Sequence, residues 1–211
     1  MFYLISIIFL LSLISLINNL SMKLQFASGG RLMIYLFGII GVTIHEFSHY
    51  LFCIIFRHKV HEARFFAPNW QTGQLGYVKH SYNRNSLYQS IGQVFVSLAP
   101  MIVGTFIITF LYNLIGIESI GLKSMLNNPI LLIKYITFVY IFICISSYMV
   151  CSIQDFANCI SGIVCISILL FICIFLFRGL FVMAIQGLIL VLKLVLINLA
   201  LSFLMFILVR R

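Results

Sequence analysis

The 211 residues are 63% hydrophobic and only 8% charged, with a mean hydropathy of +1.18. A water-soluble domain of this size has no interior large enough for that much apolar surface, so lipid is the expected solvent. Thirteen Lys and Arg against four acids give a net charge of +9, but the basic residues gather in the connections between apolar runs. That is the pattern of a membrane topology signal, not of a nucleic-acid-binding face.

Taken in order, residues 2 to 20 are apolar, with no basic residue ahead of them and no small-x-small site behind. They read as a retained first span and not a removed leader. Lys23 to Arg31 is expected to be a short polar connection broken at Gly29-Gly30. The second span, 32 to 56, contains Gly38, Gly41 and Thr43, small residues that let a neighbouring helix approach closely.

Arg57 to Gln89 is the only long polar segment; it holds five Lys and Arg, the histidines His58, His61 and His80, and the only Trp, Trp70. Within it, Val60 to Phe66 and Leu75 to His80 are expected to pair as a hairpin whose aromatic residues lie in the membrane interface. A third span from about Ser90 to Ile115 includes Ala99-Pro100, which predicts a kink near Val96.

A polar connection with Glu118 and Lys123 leads to a fourth span at 130 to 150. Then come a turn, Cys151 to Asn158, a fifth span to about Phe177 and a sixth apolar run over 181 to 209. Lys193, near the middle of that last run, is expected to snorkel or to face a polar cavity. The fold class expected is therefore an all-α integral membrane protein of about six transmembrane helices, forming one domain, with a membrane-associated β-hairpin loop after the second. With six spans the polar loop and the carboxyl end share one side, which carries seven Lys and Arg against four opposite. The positive-inside rule places that side in the cytoplasm, whereas Lys23 and Arg31 behind the first span argue the reverse.

The second span also contains Thr43-Ile44-His45-Glu46-Phe47-Ser48-His49-Tyr50. His45 and His49 are four apart, so their side chains share a helical face and can hold one metal ion, with Glu46 at its edge. This is the His-Glu-x-x-His pattern of zinc hydrolases, in which the glutamate is the general base. Acidic groups inside an apolar span are costly and functional by default.

Three protein ligands are usual for catalytic zinc, so one is still to be found. Of the four acids, Glu62 and Glu118 lie in polar connections and only Asp155 is flanked by apolar spans. Asp155 is the expected third ligand and His80 the alternative, while Asp155 as a helix cap on Ala157 or Asn158 is the plain structural reading. The six cysteines fall in or beside apolar runs without a C-x-x-C pair and read as small buried hydrophobes. Cys151 and Cys159, four residues either side of Asp155, leave a thiolate ligand open.

The His-Glu-x-x-His span, a loop with Gly76-Tyr77-Val78-Lys79-His80, Ala99-Pro100 in the next span and Asp155 after one more resemble the site-2-protease class of intramembrane metalloproteases, in particular its small bacterial members. The resemblance covers residues 32 to 160. It implies a multi-pass protein of the bacterial cell membrane that cleaves a membrane-embedded protein or peptide. It also implies Zn2+ on His45, His49 and Asp155, with Glu46 catalytic. Asp155 stands in Ile-Gln-Asp-Phe-Ala-Asn, without the Pro or Gly found beside the acidic ligand in many members. A metal-ion transporter and an inactive membrane scaffold or immunity protein are the competing expectations.

Overall fold

The computed structural model describes residues 2–116, 128–152, 155 and 178–209. Among them are five helices, α1 (Phe2–Gly29), α2 (Arg31–Ile55), α3 (Leu87–Ile115), α4 (Pro129–Tyr148) and α5 (Arg178–Val209). One antiparallel hairpin joins α2 to α3 and is built of β1 (Lys59–Arg64) and β2 (Tyr77–Ser81). All five helices are long and apolar enough to cross a membrane. They coincide with five of the six expected spans; the fifth span and the Glu118–Lys123 connection lie outside the described residues.

The segment from Lys23 to Arg31 is not a polar connection. Helix α1 continues to Gly29 and α2 begins at Arg31, so the break is Gly30 alone, with φ +58°, a conformation glycine adopts without a Cβ penalty. Lys23 and Arg31 are exposed, whereas Gln25 and Ser28 continue a buried stripe from Ser21 at helical spacing. Local capping sets other boundaries. The Ser86 side chain accepts from the Gln89 amide at the start of α3. Asn128 accepts from the amides of Ile130 and Leu131 at the start of α4, with Pro129 in the first turn.

Helix α1 packs along α5, while α2 is held between α3 and α4. The core gathers Phe37 of α2, Met101 and Ile108 of α3, and the carboxyl-terminal half of α4 from Phe142 to Ile145. Gly41 allows α2 and α4 to touch, since a Cβ there would collide with the Cys144 carbonyl oxygen. The outer faces are apolar, with Phe106, Leu114, Ile133 and Leu208 all exposed, and Lys193 stands on the exposed side of α5.

The hairpin pairs Ala63 with Val78 and Arg64 with Tyr77, with a register shift between Val60 and Glu62. Starting just beyond the last turn of α2, it folds back along that helix. Phe65 packs on Phe47 and Tyr50 with ring centroids 6.0 and 5.8 Å apart. Phe66 and Trp70 pack on Tyr35 at 6.0 and 5.7 Å. The Arg31 guanidinium lies 5.1 Å from the Trp70 ring centre. The loop thus follows α2 from its last turn to its first, about 37 Å at 1.5 Å per residue. Its aromatic residues find partners on the aromatic face of α2.

Candidate metal centre

His45 and His49 are oriented by two backbone carbonyls that lack helical partners. His45 Nδ1–H donates to the carbonyl of Tyr148 at 2.5 Å. Tyr148 is the last residue of α4, where carbonyls have no amide four residues on. His49 Nδ1–H donates to the carbonyl of Val96 at 2.7 Å. Four residues beyond Val96 is Pro100, inside α3, which has no N–H to give it. Pro100 thus leaves the Val96 carbonyl free for His49.

With both Nδ1 atoms committed as donors, each Nε2 presents a lone pair, and the two face each other at 3.1 Å. Asp155 closes the group: Oδ1 is 3.5 Å from His49 Nε2, and Oδ2 is 3.8 Å from His45 Nε2. The three residues form one of two groups of metal-capable side chains among the described residues. His49 is buried and the other two are half-buried. Two imidazole lone pairs and a carboxylate turned toward one another repel unless a cation lies among them. Tetrahedral zinc with nitrogen bonds of 2.0–2.1 Å spaces two nitrogens about 3.3 Å apart, close to the observed separation. The donor set thus fits a divalent cation of this kind.

Asp155 has its own support. Its Oδ2 accepts from the backbone amide and hydroxyl of Ser152 at 2.8 and 2.7 Å, and its amide donates to Ser152 Oγ at 3.2 Å. This reciprocal pair is the capping-box arrangement, so the carboxylate both closes a cap and faces the histidines. The partners first expected for a cap, Ala157 and Asn158, lie outside the described residues. Hydrogen bonds of this kind to metal-ligating groups fix their orientation.

Glu46 follows His45 on α2, half-buried and within electrostatic reach of His49 and Asp155. The loop presses directly on it, because a Cβ on Gly76 would meet Glu46 Cγ and the carbonyls of Arg64 and Phe65. Only a residue without a side chain lets the hairpin come this near.

The remaining candidates are placed elsewhere. His80 is not in this group; it lies with Cys53 and His58. Cys151 is buried with its thiol donating to the Ser97 carbonyl at 3.0 Å, and Cys159 is outside the described residues. Glu62 is on β1, bonded to Tyr77 Oη at 2.6 Å and Lys79 Nζ at 3.2 Å.

Three parts of the site escaped sequence reasoning: the Tyr148 carbonyl, the Ser152 clamp and Gly76 against Glu46. The Ser-x-x-Asp spacing was the one available signal among them. A largely apolar groove of about 450 Å³ lies between α1, α2 and the hairpin, lined by Phe26, Met33, Trp70, Leu75 and Tyr148. No protein family, curated protein or solved structure matches this chain.

Proposed function

We propose that this protein is an intramembrane zinc metalloprotease of the site-2-protease kind, hydrolysing a peptide bond of a membrane-embedded substrate. The observation that carries the reading is the convergence of the two Nε2 atoms at 3.1 Å with Asp155 beside them and Glu46 next to His45 in sequence. His45, His49 and Asp155 hold the ion. Bound there, Zn2+ supplies a Lewis acid that polarises a carbonyl and makes water acidic enough to attack it. Glu46 takes the proton of the attacking water and passes it to the departing amine nitrogen, a role that asks for a carboxylate near but not among the ligands.

The hairpin gives that chemistry a polar setting. Glu46 lies nine residues, about 13 Å, inside the end of α2, and non-helical backbone is tolerated at membrane depth where it packs on protein or lines a wet cavity. A helix hides its own amides, so a substrate must unwind. The free edge of a two-stranded hairpin can receive the unwound segment by strand addition. The groove lined in part by Tyr148 offers apolar shelter for the still-helical part.

Glu46→Gln tests this reading. A library of single-span peptides reconstituted with the protein in liposomes, read by mass spectrometry, should yield products with the wild type. The variant should keep the ion held by His45 and His49 while turnover falls about 10²- to 10⁴-fold. Absence of products with the wild type would reject proteolysis, and unchanged turnover in Glu46→Gln would reject Glu46 as the general base. Loss of that same metal equivalent would place Glu46 among the ligands.

A further inference from the structure

We propose that Cys53, His58 and His80 form a second metal site, distinct from the His45–His49–Asp155 centre, that takes a thiophilic cation of the Zn2+ class and clips the hairpin to α2 and α3. A ligand atom of each of these three residues lies within 4.8 Å of the other two. Cys53 is fully buried and His58 is 6% exposed.

Hydrogen bonding leaves the site primed. His58 Nε2–H donates to the Gln89 carbonyl at 2.9 Å, and His80 Nε2–H donates to Gln93 Oε1 at 3.0 Å. The other nitrogen of each ring, Nδ1, is buried and has no hydrogen-bond partner. A buried polar atom without a partner normally costs free energy comparable to a lost hydrogen bond, and here two such lone pairs accompany a buried thiol. The rings are stacked with centroids 5.2 Å apart. Imidazoles that bind metal almost always donate their second N–H to a carbonyl or carboxylate, and both do so here, to the first turns of α3. One thiolate with two neutral imidazoles is a donor set zinc accepts. The Cys53 thiol proton leaves to solvent as the ion enters, so charge and mass balance without a further reactant.

The chain is turned sharply to make the group. After α2 the Arg57 amide donates to the Ile54 carbonyl and the His58 amide to the Cys53 carbonyl, the Schellman pairing. Arg57 takes φ +56°, the one positive value outside glycine among the described residues. The turn folds His58 back over Cys53, while β2 delivers His80.

Cobalt distinguishes the two sites, since only this one contains sulfur. Full-length His45→Ala/His49→Ala protein, purified in detergent and freed of metal, is titrated with Co2+. The expected result is one equivalent bound with a near-ultraviolet thiolate-to-cobalt charge-transfer band, displaced by Zn2+. Cys53→Ser should remove the band, and His58→Gln or His80→Gln should weaken binding at least tenfold. Each variant is checked by Trp70 fluorescence for a docked hairpin. Absence of the band in the parent, or its survival in Cys53→Ser, would overturn the proposal. Because the first centre is absent from this protein, failure of the intramembrane protease reading leaves the outcome unaffected.

Discussion

At the scale of single residues, the orientation of the His49 imidazole depends on a missing amide. Pro100 cannot donate to Val96, and His49 Nδ1 takes the carbonyl at 2.7 Å; this leaves Nε2 as the lone pair that faces His45. Pro100→Ala restores an N–H four residues after Val96 and sets it in competition with the imidazole. The helix should gain, since an interior proline costs about 3 kcal/mol. The metal should lose, because weakening the partner of a ligating histidine costs about 10- to 100-fold in affinity. Competition against a chelator with calibrated zinc affinity measures it, and an unchanged constant would show that the Val96 carbonyl does not orient His49. Both histidines and Pro100 were legible in the chain as written. What the spacing could not reveal was that the proline's orphaned carbonyl and the histidine meet, because they sit on different helices and the contact exists only once α2 and α3 pack.

At the scale of elements, the hairpin was legible as strands but not in its packing. Its strands were readable from β-branched and aromatic residues between turn signals, within two residues of the observed ends. Its packing along α2 was not, because aromatic side chains suit a headgroup region and the face of another helix equally well, and the contact exists only in the folded chain. Its exposed face is held by Glu62, which bonds Tyr77 Oη, Lys79 and Arg64. The bonds from Tyr77 and Lys79 hold the Glu62 carboxyl below its ordinary value, and Glu62 in turn raises the Tyr77 phenol above its own. A carboxylate whose folded value is lowered stabilises the fold above its unfolded value, about 4.3. That contribution is lost as pH falls from there through the lowered one. For a phenol with a raised value the contribution is complete below about 10 and is lost as pH climbs through the folded value. Hairpin docking should therefore be strongest between the two limits. Trp70 emission, which reports contact with Tyr35 and Arg31, should show an acid transition below about pH 4. Glu62→Gln should abolish that transition, and a variant that titrates like the wild type would assign the change to other groups.

For the molecule as a whole, the question is whether the outer pair α1 and α5 belongs to the site or merely covers it. The outer pair meets α4 at a buried polar knot. Gln25 of α1 donates to Ser147 of α4 at 2.7 Å and to Ser202 of α5 at 3.0 Å, and Asn198 of α5 donates to Ser147 at 3.3 Å. Ser147 precedes Tyr148, whose carbonyl holds His45, so the knot is one residue in sequence from a carbonyl of the candidate metal centre. Against strong coupling, Ser147 Oγ also bonds the Ile143 carbonyl at 2.7 Å and Ser202 Oγ the Asn198 carbonyl at 2.8 Å. The hydroxyls therefore keep partners within their own helices when Gln25 is removed. Interhelical hydrogen bonds in bilayers contribute about 0.6 kcal/mol on average and up to about 1.7. Gln25→Leu, which preserves most of the volume, should then lower resistance to unfolding in mixed detergent by about 1–2 kcal/mol. Zinc affinity at His45 and His49 should stay within about twofold, because the end of α4 is fixed by its contact with Gly41 of α2 and not by α1. A parallel fall in stability and affinity would show that α1 helps to shape the centre. Stability alone changing would make α2, α3, α4, the Ser152–Asp155 turn and the hairpin the unit that carries the proposed chemistry, with α1 and α5 as its wall.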